Sequence, residues 1–312
     1  MSAPASRLTP ATTLMMLIPP MLWAGNAVIG RVAAGWIPPF TFNFLRWALA
    51  LLVLLPLAGW VLRTTSPLWP HWRRYAVLGT LAITTYNSLL YLALQTSSPV
   101  NVTLVAASMP VWMLLVGRIG YGVAMTRQAW LGAVLSVLGV VVVLTQGQPF
   151  KLLQLDLVAG DAWMLLAALS WACYSWLLTL PDPCPAIRQN WAAFLLGQMV
   201  FGLLVSGVLM AGEWLWLLQA PRTPGAPPLV AWDWPLLAVL AFVAIGPAVL
   251  AYRFWGAGVQ RVGPTLASFF ANLTPLFAAI LSTAVLGELP QLYHGVAFAL
   301  LVAGIAVSAR KA

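Results

Sequence analysis

Apolar and polar positions along this chain separate into long blocks instead of alternating. Apolar runs of about 20 residues, the length a helix needs to cross a bilayer core, recur at 11–31, 40–62, 75–95, 99–117, 128–146, 159–180, 189–212, 234–256, 263–286 and 291–309. The runs are continuous, so the two-residue period of barrel strands is absent. The pattern predicts ten transmembrane helices, an all-α integral membrane protein. The first run is too long for a cleaved signal peptide and has a counterpart in the sixth, so it is read as a span.

A second pattern lies over the first. Residues 95–144 recur without gaps 165 positions later: Gln95, Pro99, Ala106, Pro110, Gly122 and Gly139 return as Gln260, Pro264, Ala271, Pro275, Gly287 and Gly304, and Trp112 is echoed by Phe277. Apolar matches arise by chance in such a chain, but matched prolines and glycines in one register do not do so readily. The chain is read as two units, 1–148 and 149–312, each of five spans. Five is odd, so the second unit must enter the membrane in the opposite direction, as in transporters with inverted repeats.

Composition agrees with a membrane setting. Hydrophobic residues make up 62% of the chain and charged residues 7%, against about 25% charged in soluble domains. The net charge of +9 is scattered near span ends, which argues for topology signals and against a nucleic-acid surface. With the N-terminus inside, ten basic residues fall on the cytoplasmic side and three, Arg31, Lys151 and Arg222, outside. Both termini are therefore expected in the cytoplasm. The longest loop, about 213–233, lies outside, and Trp214, Trp216, Trp232 and Trp234 suit an interfacial belt. Cys173 and Cys184 form no framework, and neither a metal site nor a cofactor is expected.

Several short motifs together resemble one family. Trp23-Ala24-Gly25-Asn26, Arg46 after Phe44-Leu45, and Tyr91-Leu92-Ala93-Leu94 through Pro110 are similar to the first EamA repeat. Gly160-Asp161, Ser170-Trp171, Tyr174, and Ala251-Tyr252 through Pro275 to Gly287-Glu288 resemble the second. The resemblance covers nearly the whole chain and points to the ten-helix EamA branch of the drug/metabolite transporter superfamily. One departure is Gly122-Val123, where the family commonly has a Gly-Glu pair. The resemblance implies a bacterial cytoplasmic-membrane exporter of small organic solutes, amino acids among them, as in the aromatic amino acid exporters of the YddG type. It also implies a cavity lined by spans one, three, four, six, eight and nine, with five and ten peripheral.

Polar groups deep in a membrane are costly unless they face protein or water. Candidates for solute contact are Asn26, Tyr86, Asn87, Asn101, Trp112, Trp163, Tyr174, Tyr252 and Asn272. Tyr86 can line a cavity or bond between helices, and Asn272 can bind solute or backbone freed by Pro275. Trp163, close to a span end, also suits the belt. Pro110 and Pro275, in mid-span of opposed helices, are expected to kink them and to act in gating. Gly132 and Gly139 make a small-residue packing face. Arg46 can hold a solute carboxylate, although snorkelling or internal pairing is the preferred reading.

All six acids lie in loops or at span ends, whereas a proton relay uses an intramembrane carboxylate or histidine. A facilitator or uniporter is therefore expected, without a buried proton switch. No G-x-x-x-x-G-K-[ST] loop and no H-E-x-x-H occur, so neither ATP-driven transport nor catalysis is expected. The expected function is export of amino acids or related metabolites by alternating access. Efflux or uptake of drugs and other organic solutes, or a channel-like pathway, remains the alternative. The expected partners are a small solute and membrane lipid, with the chain acting as a monomer.

Overall fold

The computed structural model describes residues 8–309 except 34, 98–101, 103–104, 155–157, 220–227 and 287–290. Asn101, Pro99 and the Gly287-Glu288 pair fall outside the described residues. The chain is a bundle of helices, and no strand occurs among the described residues: α1 (Pro10–Ala33), α2 (Pro39–Ala58), α3 (Trp72–Gly79), α4 (Tyr86–Thr96), α5 (Met109–Tyr121), α6 (Arg127–Leu144), α7 (Ala159–Leu177), α8 (Pro185–Gln189), α9 (Trp191–Gln219), α10 (Trp234–Val243), α11 (Ala251–Ala271), α12 (Thr274–Leu286) and α13 (Leu292–Ala309). Among the described residues, seven stretches are long and apolar enough to cross a membrane: Pro10–Gly30, Pro39–Leu62, Trp72–Thr96, Arg127–Leu144, Trp191–Gln219, Trp234–Ala271 and Leu292–Ala309. Helices α5, α7 and α12 fall on the fourth, sixth and ninth predicted spans. With its lipid-length apolar helices, the chain is an all-α, multi-pass membrane protein.

Two regular features join α3 to α4 and α10 to α11. Thr80–Thr85 and Ala244–Leu250 are both π-helical, and they lie at equivalent places of the 165-residue repeat. A π-turn widens the backbone and frees carbonyls from the i−4 ladder. Around the first turn those carbonyls are claimed by side chains. The Leu81 carbonyl accepts from Ser170 Oγ at 2.8 Å, and the Ile83 carbonyl accepts from Asn43 Nδ2 at 3.2 Å.

Pro110 and Pro275 sit differently from the expectation of a mid-helix kink. The helical path is interrupted before each of them, at Ala107-Ser108 and at Asn272-Leu273, and each proline stands second in the helix that follows. Its missing backbone donor there costs nothing, because first-turn donors have no intrahelical partner. Val111 and Phe277 resume the pattern by donating to the Ser108 and Leu273 carbonyls, both at 2.9 Å. The break is thus made by turns, and the prolines start new helices.

Two other expectations shift. The loop expected from 213 begins later, because α9 continues to Gln219 and carries Glu213 and Trp214 as helical residues. Glu213 anchors that extension by accepting from Phe40 N at 3.0 Å and Thr41 N at 2.8 Å, which caps the start of α2. Between the eighth and ninth expected spans the helical path runs on past 256 and turns only at Gly263, whose φ of 81° suits glycine.

Helices α6 and α13 form the most extensive pair. Their glycines allow it: a Cβ on Gly132 would lie 2.8 Å from the Gly304 carbonyl oxygen, and one on Gly139 would lie 3.1 Å from that of Ala297. Going from 132 to 139 on α6 moves from 304 to 297 on α13, so the two helices are antiparallel. Because 139 corresponds to 304 and 132 to 297 in the repeat, the two contacts are exchanged by a two-fold rotation. Where they meet, the related segments run in opposite directions.

Candidate functional site

Other pairs of equivalent residues touch each other at the centre of the bundle. Asn87 Nδ2 donates to Tyr252 Oη at 3.1 Å, and Asn272 Nδ2 donates to the Ala107 carbonyl at 3.2 Å. Each pair is separated by 165 residues, so both lie on the axis relating the repeats. The helix break of one copy is thereby bonded to the break of the other. Ser136 Oγ, 2.9 Å from Asn272 Nδ2, completes that amide's donor set. The backbone partner of Asn272 is therefore Ala107 in the other repeat, and not backbone freed by Pro275.

A cavity of about 130 Å³ opens beside this axis. It receives Trp23 and Asn26 from α1, Arg46 from α2, Tyr86 and Asn87 from α4, Trp171 from α7 and Tyr252 from α11, together with both breaks at 106–109 and 271–275. A cavity of about 150 Å³ holds a benzene-sized molecule, so the space suits a small solute. Leu90, Leu94 and Val102 supply an apolar wall.

Aromatic rings close one side of the cavity. Trp171 lies at the centre of that cluster, with ring centroids 4.8 Å from Tyr86, 5.2 Å from Tyr174 and Tyr252, and 5.4 Å from Trp23 and Trp255. Such edge and tilted contacts add to the burial of large rings and hold them in fixed orientations. Tyr252 Oη also donates to the Ala82 carbonyl in the first π-turn, at 2.7 Å, so its ring is held by one bond from each side of the phenol oxygen.

Beyond Tyr252 lies a second cavity of about 330 Å³, toward the arginine-rich end of the bundle. Tyr174, Gln198, Arg188, Arg253 and Arg261 line it, and Tyr252 is the residue common to both cavities. The Arg253 guanidinium stacks over Trp191, 4.4 Å from the ring centroid.

The structure therefore gathers Asn26, Tyr86, Asn87, Tyr252, Asn272 and Pro275 around one cavity and places Tyr174 on the next. Trp112 packs against the hydrophobic core without reaching either cavity, and Pro110 likewise stays outside the lining. Trp163 is 38% exposed on the outside of the bundle, where a belt residue would be.

Arg46, which the sequence did not place among the candidates for solute contact, lines the cavity. It is 1% exposed, so it snorkels to neither surface. Nη1 donates to Asn87 Oδ1 at 3.2 Å and to Tyr91 Oη, while Nε has no partner among the described residues. The ion pair among the described residues is Arg74–Asp182, and no described carboxylate meets Arg46. Asn87 thus links the buried cation, the axis and the π-turn, since its Nδ2 also donates to the Ala82 carbonyl at 2.7 Å. The sequence signal was present, an arginine inside an apolar run, but its partners lie 41 and 45 residues away on another helix.

Comparison with known proteins agrees with this architecture. The chain is 27% identical over 233 residues to the uncharacterized transporter YyaM of Bacillus subtilis, covering 74% of this chain and 71% of that protein. It is 23% identical over 285 residues to a probable amino-acid metabolite efflux pump of Salmonella typhimurium, covering 88% of this chain and 86% of the relative. A solved crystal structure superposes with a TM-score of 0.69 at 22% identity, covering 96% of this chain and 97% of the other, and shows the same fold. The sequence profile of the EamA-like transporter family matches residues 11–145 and 158–310. Two such matches, either side of a short junction and meeting around one cavity, mean that this chain belongs to the EamA-like transporter family: it is a membrane transporter and not an enzyme.

Proposed function

We propose that this protein exports amino acids or closely related small metabolites across the bacterial cytoplasmic membrane by alternating access, as a facilitator without a buried proton switch. The observation that carries the reading is the pair of cavities separated by Tyr252 on the axis between the repeats. A solute site at the repeat interface, closed on one side by a movable wall, is what alternating access requires. The units 1–148 and 149–312 would rock about that site, with ten spans and both termini in the cytoplasm. Pro110 and Pro275, each starting a helix after a turn, suit hinge positions in such a motion. The wall of neutral amides, aromatics and one arginine favours zwitterionic or neutral cargo over multivalent cations.

Counterflow in proteoliposomes tests this. Protein-dependent, saturable exchange of labelled amino acids is expected without an imposed proton gradient. Unsaturable conductance would place the protein among channels, and flux that depends on a proton gradient and on one acid would replace the facilitator reading.

A further inference from the structure

We infer that the central cavity reads the two charged ends of an α-amino acid separately, with Arg46 holding the carboxylate and Asn26 the ammonium. This rests on the transport reading above and deepens it. Two side chains lining the cavity carry buried polar atoms without a hydrogen-bond partner among the described residues: Arg46 through Nε and Asn26 through Oδ1. Their exposures are 1% and 7%. One is a cationic donor and the other a neutral acceptor, so their demands are opposite in sense.

Leaving a buried guanidinium without a counter-ion among the described residues is expensive in a membrane span. A fold that needed only interhelical adhesion would be served by a neutral donor at position 46. Asn87 and Tyr91 fix Nη1 and so orient the guanidinium plane, and Nε is left without a partner among the described residues. A carboxylate is the ligand whose two oxygens match that planar fork. Asn26 lines the same cavity, and its amide oxygen can accept from an ammonium without adding a negative charge. The rings of Trp23 and Trp171, which line the same cavity, suit a cation as well. The apolar wall at Leu90, Leu94 and Val102 takes the side chain.

The test needs no mutation to begin. Wild-type protein in proteoliposomes is loaded with unlabelled phenylalanine and assayed for counterflow of labelled phenylalanine against phenylalaninamide, phenethylamine and 3-phenylpropionate. The amide and the amine, which lack the carboxylate, are expected to compete at least about tenfold less well than phenylalanine. The propionate, which lacks the ammonium, is expected to compete more weakly than phenylalanine but better than the amine. Arg46→Gln is expected to remove the preference for acid over amide, Arg46→Lys to restore part of it, and Asn26→Leu to remove the preference for phenylalanine over the propionate.

Equal competition by amine, amide and acid would overturn the carboxylate site while leaving transport standing. Saturable flux confined to solutes without a carboxylate would do the same. If no solute shows saturable protein-dependent flux, the transport reading falls and this inference falls with it.

Discussion

Asp182 shows how much a single side chain settles when it is buried in a loop. Its carboxylate is 1% exposed and accepts from Arg74 Nε at 3.0 Å, Tyr75 Oη at 3.0 Å and Cys184 N at 2.8 Å. It thereby joins the start of α3 to the turn after α7. Removing one partner of a largely buried pair leaves the other unsatisfied, so Asp182→Ala should cost about 2–4 kcal/mol, discounted because Arg74 retains some solvent contact. A clear fall in the detergent-solubilised unfolding midpoint is expected, and an unchanged midpoint would remove Asp182 from the list of structural anchors. Cys184 belongs to the same loop. It is 3% exposed, its Sγ lies 3.2 Å from the Pro67 carbonyl oxygen, and burial pushes its thiol up from the ordinary range. Thiolate is the reactive form. In a Cys173→Ala background, maleimide labelling of the native protein should therefore be slow at neutral pH, quicken as pH rises, and become rapid on unfolding.

The apolar runs located the helices because lipid admits only helices and closed barrels, and unbroken runs lack the alternation of barrel strands. The interruptions were far less legible. Thr80–Thr85 carries no proline to mark a turn, and only Pro247 hints at the matching turn in Ala244–Leu250. What stabilises the first turn is supplied from elsewhere, by Ser170 and Asn43 reaching its carbonyls. The prolines at 110 and 275 signalled a disruption, but not that the turn would precede them. Glycine contacts can be tested directly at this scale. A Cβ on Gly79 would stand 2.1 Å from the Gln198 carbonyl oxygen and 2.8 Å from Gly202 N, both backbone atoms of α9. Gly79→Ala must push two helices apart and should cost about 1–3 kcal/mol or more. Gly120→Ala is the matched control, since nothing lies within 4 Å of its Cβ position, and it should be neutral or stabilising by about 0.5–1 kcal/mol. Equal effects at the two sites, measured as unfolding midpoints, would show that helix propensity and not close packing governs both.

For the molecule as a whole, the repeat becomes informative through the contacts that equivalent residues make with each other. The match between 95–144 and its copy was visible in sequence, but Asn87 and Tyr252 show no similarity of type, so nothing marked them as a pair on the axis. Their meeting puts a single phenol ring between two cavities. If the protein works by alternating access, that ring is the wall that prevents both cavities from being open at once. Tyr252→Ala should join them and convert saturable counterflow into a leak that grows linearly with solute concentration. Tyr252→Phe keeps the ring against Trp171 and Trp47 but loses the bonds to Ala82 and Asn87. It should therefore keep saturation while changing the rate of exchange, because a less firmly held ring moves more easily. Saturable, non-leaking flux through Tyr252→Ala would show that the barrier lies elsewhere, in the remaining aromatic cluster around Trp171.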